Sequence, residues 1–594
     1  KIAKIQQRLA DLERDIAKEQ GEESKAQEHK NKHEKEIPEA QKHQQKHQAQ
    51  KERATRELEA LKRNAAFAPF RTAVFRKLWL ATFAANVAMW MNDVTAAWVM
   101  TSLSTSPVMV ALVQTASTLP VFLLGLPSGA LADIIDRRRY FAATQLWVAL
   151  TALTLAALSL TGALSAPLLL ALTFANGIGL AMRWPVFSAI VPEVVPRAHL
   201  GEAMALNGIS MNLSRVVGPV AAGAIISALG SGVVFVLNVV LAAAAFATIV
   251  RWRSTPRTST LPGERFVGAM RVGWQHVMQS PRMKVVLLRI FLFFLQSSAL
   301  LALLPLVARA LPGAGPGSYT LMLACVGGGA VVAAMYFPRW RTRYNRDQFV
   351  LYGTLVHAVM SAAAVFAPNL WLALPAIVVL GMAWISTANS LTLAAQVALP
   401  NWVRARGMAV YQVALMGGAA GGSLLWGQVA ALFSVRAAVA AAALAGPALW
   451  LLTRRLTVEG GADPDFSPVS PAHPPQTDLG IGPDEGPVMV TVDYQIDPAR
   501  AEDFAELMRQ TRSARLRQGA LSWGLFRDPM LPGRYIEYFV DESWLEHLRR
   551  NERITAADAQ LREQRLALHL GAEPPRVQRF VAEALRTGTH WWGW

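Results

Sequence analysis

The sequence predicts an all-α membrane bundle of twelve spans arranged six plus six, with a small α+β domain towards the C-terminus and a polar helix or helical hairpin at the N-terminus. Three observations predict it. About a dozen apolar runs of about 18 to 25 residues fill positions 78 to 453, the length at which a helix crosses about 30 Å of hydrocarbon. Arginines gather in alternate connections between those runs. The two halves also repeat a short pattern at a fixed offset.

Residues 1–64 come first and differ in composition from everything after them, as a foreign fusion segment would. Ile2, Ile5, Leu9, Leu12 and Ile16 fall at alternating spacings of three and four, a coiled-coil seam. The same register then offers Glu19, Glu23, Ala26, Lys30 and His33, Pro38 interrupts it, and apolar residues return at Ala54, Leu58 and Leu61. A broken hairpin pairing its two ends is one reading, and a single solvated helix is the other. His29 with His33, and His43 with His47, have the i, i+4 spacing that can hold a divalent metal. Amid so many Lys, Glu and Gln, a solvated face is expected instead, and no metal or cofactor is assigned.

The spans are expected at 78–101, 107–132, 140–162, 166–190, 203–229 and 231–250 in a first bundle (65–250), and at 285–308, 318–338, 348–367, 370–395, 407–432 and 436–453 in a second (285–455). Every backbone group in lipid must pair within its own helix, so a polytopic helical bundle follows and a secreted or cytosolic globule is excluded. Residues 251–284 connect the halves, and LPGERFVGAMRVGWQHVM within them has the pattern of a short amphipathic helix on the membrane surface.

The formal charge of +17 resembles a nucleic-acid signature only until the basic residues are placed. Arg71, Arg76 and Lys77 precede the first run, Arg137, Arg138 and Arg139 follow the second, Arg197 the fourth, and Arg251 and Arg253 the sixth. Arg339, Arg343, Arg404, Arg406, Arg454 and Arg455 continue the alternation. The other connections carry chiefly Arg309 and Arg436. By the positive-inside rule both termini face the cytoplasm, the span count is even, and the protein lies in the cytoplasmic membrane with no nucleic-acid partner. Cys325 is the only cysteine, which rules out an intramolecular disulfide.

The internal repeat aligns VPRAHLGEAMALN (195–207) with LPNWVRARGMAVY (399–411), placing Pro196 on Pro400, Met204 on Met408, Ala205 on Ala409 and, further on, Gly218 on Gly422. A parallel repeat of six spans is one way that transporters are built.

Ionisable residues inside spans are costly and mark candidate sites. Asp93, in MWMNDVTAAW, is the sharpest, a candidate proton carrier or cargo contact. Arg183 and Arg215 are candidate counter-charges to it or contacts for an anion; Arg183 is expected to face the cavity and Arg215 to be structural. Asn207, Asn212, Asn238 and Asn389 can bond cargo or neighbouring helices. Arg289 is expected to snorkel towards the interface and His357 to be a packing residue. Gly218, Pro219 and Gly223, echoed by Gly421 and Gly422, are expected to allow close helix crossing and a bend. Trp90, Trp98, Trp184, Phe293, Phe294, Trp384 and Trp426 can line an amphipathic pocket, with lipid-facing and belt roles as the alternative.

Between the second and third runs stands Gly129-Ala-Leu-Ala-Asp133-Ile-Ile-Asp136-Arg137-Arg138-Arg139. It resembles the signature loop of the major facilitator superfamily, Gly-x-Leu-Ala-Asp-Arg-x-Gly-Arg-Arg-Arg, with Ile134 in place of the usual Arg and Asp136 in place of the usual Gly. LWLATFAANVAMWM, SPVMVALVQTASTLPVFLLGLPSGALAD and LNGISMNLSRVVGPVAAG look like its enterobactin-exporter-like branch. The resemblance implies a secondary exporter of small amphipathic, siderophore- or drug-like molecules, coupled to protons and rocking between two openings. In that reading Asp133 and Arg137 help latch the cytoplasmic side; a positive-inside anchor is the simpler alternative. No Gly-x-x-x-x-Gly-Lys-Ser/Thr loop is present, so direct drive by ATP is not expected.

After a Pro-, Asp- and Gly-rich linker (456–486), residues 487–582 read β-α-β-β-α-β, a ferredoxin-like sandwich, followed by a tail at 583–594. That domain resembles the antibiotic-biosynthesis-monooxygenase fold, with Trp544, His547, Arg553 and His569 as pocket candidates. The domain is expected to dimerise through its sheet rather than to catalyse, and two readings stand as alternatives to the exporter: a membrane-tethered small monooxygenase, or a scaffold or sensor that transports nothing.

Overall fold

The computed structural model describes residues 2–28, 51, 68–196, 199–252, 266–312, 316–341, 343–400, 402–458, 465–467, 469, 480–571 and 573–583. Its helices are α1 (Ile2–Glu28), α2 (Ala73–Leu103), α3 (Pro107–Ile134), α4 (Arg137–Leu160), α5 (Ala166–Val194), α6 (Leu200–Leu229), α7 (Ser231–Arg251), α8 (Phe266–Met278), α9 (Pro281–Arg309), α10 (Pro316–Arg341), α11 (Arg346–Phe366), α12 (Leu370–Val397), α13 (Arg404–Leu432) and α14 (Val435–Leu452). The C-terminal region adds β1 (Val488–Gln495), α15 (Ala501–Arg517), β2 (Ser522–Arg527), β3 (Arg534–Asp541), α16 (Trp544–Glu552), α17 (Ala556–Ala567) and β4 (Arg576–Val581).

Short polar residues start several spans. Asp136 accepts a hydrogen bond from Arg139 N at 2.8 Å to cap α4, Asn369 from Leu372 N at 3.0 Å to cap α12, and Ser434 from Ala437 N at 3.1 Å to cap α14. Asn345 and Gln348 form a reciprocal capping box on α11. Each such cap satisfies donors that a helix beginning at a membrane surface would leave orphaned.

Among the described residues, eleven helices are long and apolar enough to cross a membrane: α3 to α7 and α9 to α14. The remaining expected span, α2, is 31 residues long, but Trp79, Trp90, Trp98, Asn86, Asn92 and Asp93 lower its hydropathy. Enclosure separates central from peripheral spans: α9 is 72% buried along its apolar window and α14 only 22%. Trp371, Leu372, Leu444 and Leu452 stand exposed on such helices, an apolar surface suited to lipid rather than water.

The chain divides into two compact units, residues 1–84 with 187–213 and residues 85–186 with 214–594. In the first, Leu12 and Ile16, two of the heptad positions of α1, are buried, and Lys51 pairs with Glu13 at 2.9 Å. Phe75, Val191, Val195, Ala203 and Leu206 form its core, and Trp79 donates Nε1–H to Leu206 O at 3.1 Å. The histidine pairs of the N-terminal segment lie outside the described residues.

In the second unit small residues bring helices to backbone contact. A Cβ on Gly218 of α6 would sit 2.5 Å from Trp90 Cβ of α2, and one on Gly422 of α13 only 2.2 Å from Leu295 O of α9. Gly218 and Gly422 occupy equivalent places in the sequence repeat, and each lets the fifth helix of its half close on the first. Gly223 meets Thr320 of α10 in the same way, at 2.1 Å, whereas Gly421 has its nearest neighbour at 3.9 Å. Pro219 lies inside α6. Gly218→Val is expected to force α6 off α2 and to lower the melting temperature of the purified protein, a cost of about 1–3 kcal/mol for overpacking; an unchanged melt would mean the contact relaxes freely.

The C-terminal strands form an antiparallel sheet in the order β2-β3-β1-β4, with Val490 opposite Phe539 and Arg579. Val488, Val490, Val492 and Tyr494 alternate inward, and Phe504 and Met508 of α15 pack beneath the last two. The domain is seated on α8, which also packs against α3 and α13. Arg271 pairs with Glu542 at 2.7 Å, Gln275 Nε2 donates to Ala520 O at 3.0 Å, and His276 Nδ1–H donates to Arg517 O at 3.1 Å. Trp402 joins them, edge-on to His276 at 5.4 Å and beneath the Arg553 guanidinium at 5.0 Å. The amphipathic pattern of α8 is therefore answered on one side by protein, with Val272 and Val277 buried, while Trp274 stays exposed.

Burial pushes the His276 imidazole from 6.5 down to about 4. Because the docked form prefers the neutral ring, docking keeps its full strength above pH 6.5 and is expected to weaken by about 3 kcal/mol as pH falls from 6.5 through 4. Hydrogen exchange at residues 266–278 should accelerate across that window in the wild type and not in His276→Gln.

Candidate functional site: the polar interior of the bundle

Asn86, Trp90 and Asp93 are spaced by four and three, so they line one face of α2, a turn apart. Each meets a different partner. Asn86 Oδ1 accepts from Arg183 Nη2 of α5 at 2.6 Å, and Arg183 is only 2% exposed. Trp90 stacks with the Arg215 guanidinium of α6 at 5.3 Å. Both carboxylate oxygens of Asp93 lie 3.2 Å from Ser117 Oγ of α3. Asp93 has no basic partner among the described residues, so a hydroxyl is its only compensation there.

Arg215 also lies over a second indole, Trp384 of α12, at 5.0 Å. Trp384 leans on Phe294 at 5.6 Å, which meets Phe293 at 5.9 Å, and Phe293 meets His357 at 5.8 Å. An aromatic wall thus runs from α2 across α6 to α12, α9 and α11. His357 touches Ser361 through Nδ1 at 3.4 Å, and its Nε2 is buried without a partner.

The two halves also meet at the helix ends remote from the arginine-rich connections. Arg309, at the end of α9, donates to Thr101 O at 2.8 Å and lies over Trp98 at 4.8 Å, and Trp98 stacks on Tyr319 at 6.0 Å. Along the length of the bundle, Thr115 Oγ1 of α3 donates to Ala420 O of α13 at 3.2 Å.

The other candidates are placed as follows. Arg289 does not snorkel: it is buried and closes the C-terminal end of α14, donating to Thr453 Oγ1 at 2.7 Å, Thr453 O at 2.9 Å and Leu456 O at 3.0 Å. Among the described residues, Asn207 Oδ1 is buried without a partner, as are both polar side-chain atoms of Asn238. In the signature loop, Gly129 and Asp133 fall in the last turns of α3 and Arg137 opens α4, with the Asp133 and Arg137 side chains, like those of Asn212 and Trp184, outside the described residues. Asp136 is the N-cap of α4, Arg138 donates through Nη2 to Val250 O at the end of α7, and Arg139 is exposed. The Asp that replaces the usual Gly is thus a helix cap.

In the C-terminal domain the four pocket candidates do not converge. His547 lies against Trp544, but both its ring nitrogens are engaged, Nδ1 with Asp541 at 2.8 Å and Nε2 accepting from Arg579 Nε at 3.1 Å. Arg553 turns to Trp402 and Gln518 O, and His569 Nδ1 accepts from Gln495 N. Among the described residues no cluster of His, Cys, Asp and Glu can hold a metal.

The family model described as transmembrane secretion effector, of the major facilitator type, matches residues 64–587, almost the whole chain. The protein belongs to that family. A curated relative from Bacillus subtilis (strain 168), the uncharacterized MFS-type transporter YfiS, is 27% identical over 283 residues, 46% of this chain and 64% of YfiS, so the match spans less than two thirds of that relative's length. Among solved structures, a bacterial homologue of the human lysosomal transporter Spinster superposes with a TM-score of 0.55 at 15% identity, over 67% of this chain and 99% of that one. The nucleoside transporter NupG gives 0.52 at 11% identity, over 64% and 98%, and a POT family transporter in complex with 5-aminolevulinic acid 0.53 at 11%, over 64% and 95%. At such identities these likenesses establish the shared transporter fold.

Proposed function

We propose that this secretion-effector family member is a secondary active transporter that exports small amphipathic molecules, siderophore- or drug-like, across the cytoplasmic membrane by proton antiport. In this reading α2 is a twelfth span and both termini are cytoplasmic. Its length of about 46 Å, at 1.5 Å per residue, is ample for a crossing. The sheet order β2-β3-β1-β4 supports a ferredoxin-like C-terminal domain, seated on the membrane part, and the occupied nitrogens of His547 favour a structural domain over an enzyme.

One observation carries the reading: on the face of α2 that also carries Asn86 and Trp90, Asp93 has, among the described residues, a lone hydroxyl for company. A carboxylate held so weakly in the interior of a membrane protein gains from taking up a proton and loses it once water reaches it from the other side. The Arg309 latch to Thr101 and Trp98 supports alternating access, since it joins the halves at one end of the bundle only through groups that can part.

The test uses the purified full chain in proteoliposomes loaded with a pH-sensitive dye, challenged with a panel of amphipathic aromatic acids, amines and neutral compounds. At least one compound is expected to move protons through the protein in the direction opposite to its own flux. Compound flux that is indifferent to a collapsed pH gradient would overturn proton coupling, and no flux for any class would overturn transport.

A further inference from the structure

We propose that the cargo carries an anionic group and an aromatic or apolar body, and that Arg215, which lies against both Trp90 and Trp384, binds the anion. The proposal rests on the transport reading and names the cargo class.

Other arginines of the bundle provide the comparison. Arg183 and Arg289, both buried, donate to Asn86 Oδ1 and to Thr453 and Leu456, and Arg309, exposed at the end of α9, donates to Thr101 O, so each has found an oxygen acceptor. A structural guanidinium in a low-dielectric interior needs such acceptors, because an unpaired buried charge is strongly disfavoured. Arg215 has none: among the described residues it makes no hydrogen bond or ion pair, and its Nε and Nη1 are buried without an acceptor. Two indole rings lie against this partly exposed guanidinium, at 5.3 and 5.0 Å.

The indoles add to the imbalance. Among the described residues, Nε1 of Trp90 and Nε1 of Trp384 are also buried without an acceptor. Three neighbouring side chains therefore present donors only, and a donor-only cluster is complementary to a group that only accepts, such as a carboxylate or another oxyanion. A cationic or neutral donor-bearing cargo would leave these N–H groups unpaired. Beside the cluster, Phe294 and Phe293 continue the aromatic surface from Trp384, which suits a planar apolar body attached to the anion.

The position of the cluster suits a carrier. Trp90 comes from the first half and Trp384 from the second, so occupancy at Arg215 is sensed by both. Gly218, one turn beyond Arg215, permits the close approach of α6 to α2 that brings the guanidinium onto Trp90. Asp93 lies one turn along α2 from Trp90, so a proton taken up there lowers the negative charge that an arriving anion meets.

The experiment is binding rather than flux. The full chain in phosphatidylcholine nanodiscs is titrated with 2-naphthoate and with its neutral isostere 2-naphthamide by equilibrium dialysis, and repeated in discs containing phosphatidylglycerol. Naphthoate is expected to bind at least tenfold more tightly than the amide, Arg215→Met to abolish that preference, and Arg215→Lys to keep the preference with several-fold lower affinity. Equal affinities, no naphthoate binding, or a preference that survives in Arg215→Met overturns the proposal. If Arg215→Met does not fold, wild-type behaviour in Arg215→Lys overturns it. Loss of naphthoate binding in phosphatidylglycerol discs alone would assign the cluster to a lipid headgroup and likewise overturn it. No proton gradient is applied, so failure here leaves the transport reading standing, and absent proton coupling leaves this site standing.

Discussion

Asp93→Asn is expected to reduce cargo-dependent proton movement in proteoliposomes to the level of protein-free vesicles while the protein inserts, folds and still binds cargo. Asparagine is nearly isosteric and can still accept from Ser117, so the packing of α2 against α3 is kept. What it cannot do is carry a proton. Energised transport should vanish, whereas exchange of cargo down its own gradient should persist. Asp93→Glu keeps the carboxyl on a longer arm and should retain part of the coupling. Wild-type proton movement in Asp93→Asn would place the carrier elsewhere.

Glu537→Ala is expected to unfold the C-terminal domain at temperatures where the membrane bundle survives. Glu537 is fully buried on β3 and accepts from Arg515 Nε at 2.9 Å, Trp523 Nε1 at 3.0 Å and Tyr494 OH at 3.1 Å. Removing it strands a cation and two neutral donors in the core, which costs about 3–5 kcal/mol when one member of a buried pair is deleted. The pH dependence has a definite sign. Burial alone would raise the Glu537 carboxyl, but Arg515 and then Arg565 and the Trp523 bond pull it from 4.5 down to about 2. Its stabilising contribution, about 3 kcal/mol, is thus complete above pH 4.5 and lost as pH falls towards 2. Two melting transitions in scanning calorimetry, with only the domain's shifted, is the expected result; a single unshifted transition would show that the triad contributes nothing net.

Eleven of the twelve expected spans are legible because their signal is local: apolar length, and arginines in alternate connections. Gly218 and Gly422 could be paired from the repeat, since each does the same job in its own half. Arg215 is legible as a candidate anion contact, but its aromatic surroundings are not. Its partners Trp90 and Trp384 are more than a hundred residues apart from one another or from it, and only the folded halves bring them together. One sequence signal was available for the α2 side, the spacing of four and three from Asn86 through Trp90 to Asp93. The role of α8 was half legible, because an amphipathic stripe announces that something apolar covers it and does not say whether that is lipid or, as here, Trp402 and the C-terminal domain. Arg289 was misplaced for a similar reason: a cation near a span's end can reach for water or for another helix's terminal carbonyls, and α14 supplied the carbonyls.

The seat of the C-terminal domain has a mechanical corollary. α8 touches helices of both halves, α3 in the first and α13 and α9 in the second, and bears the domain through Arg271, Gln275 and His276. Any change in the spacing of those helices is therefore expected to tilt α8 and carry the domain with it, so that a label at the exposed Met530 of its hairpin would report the movement.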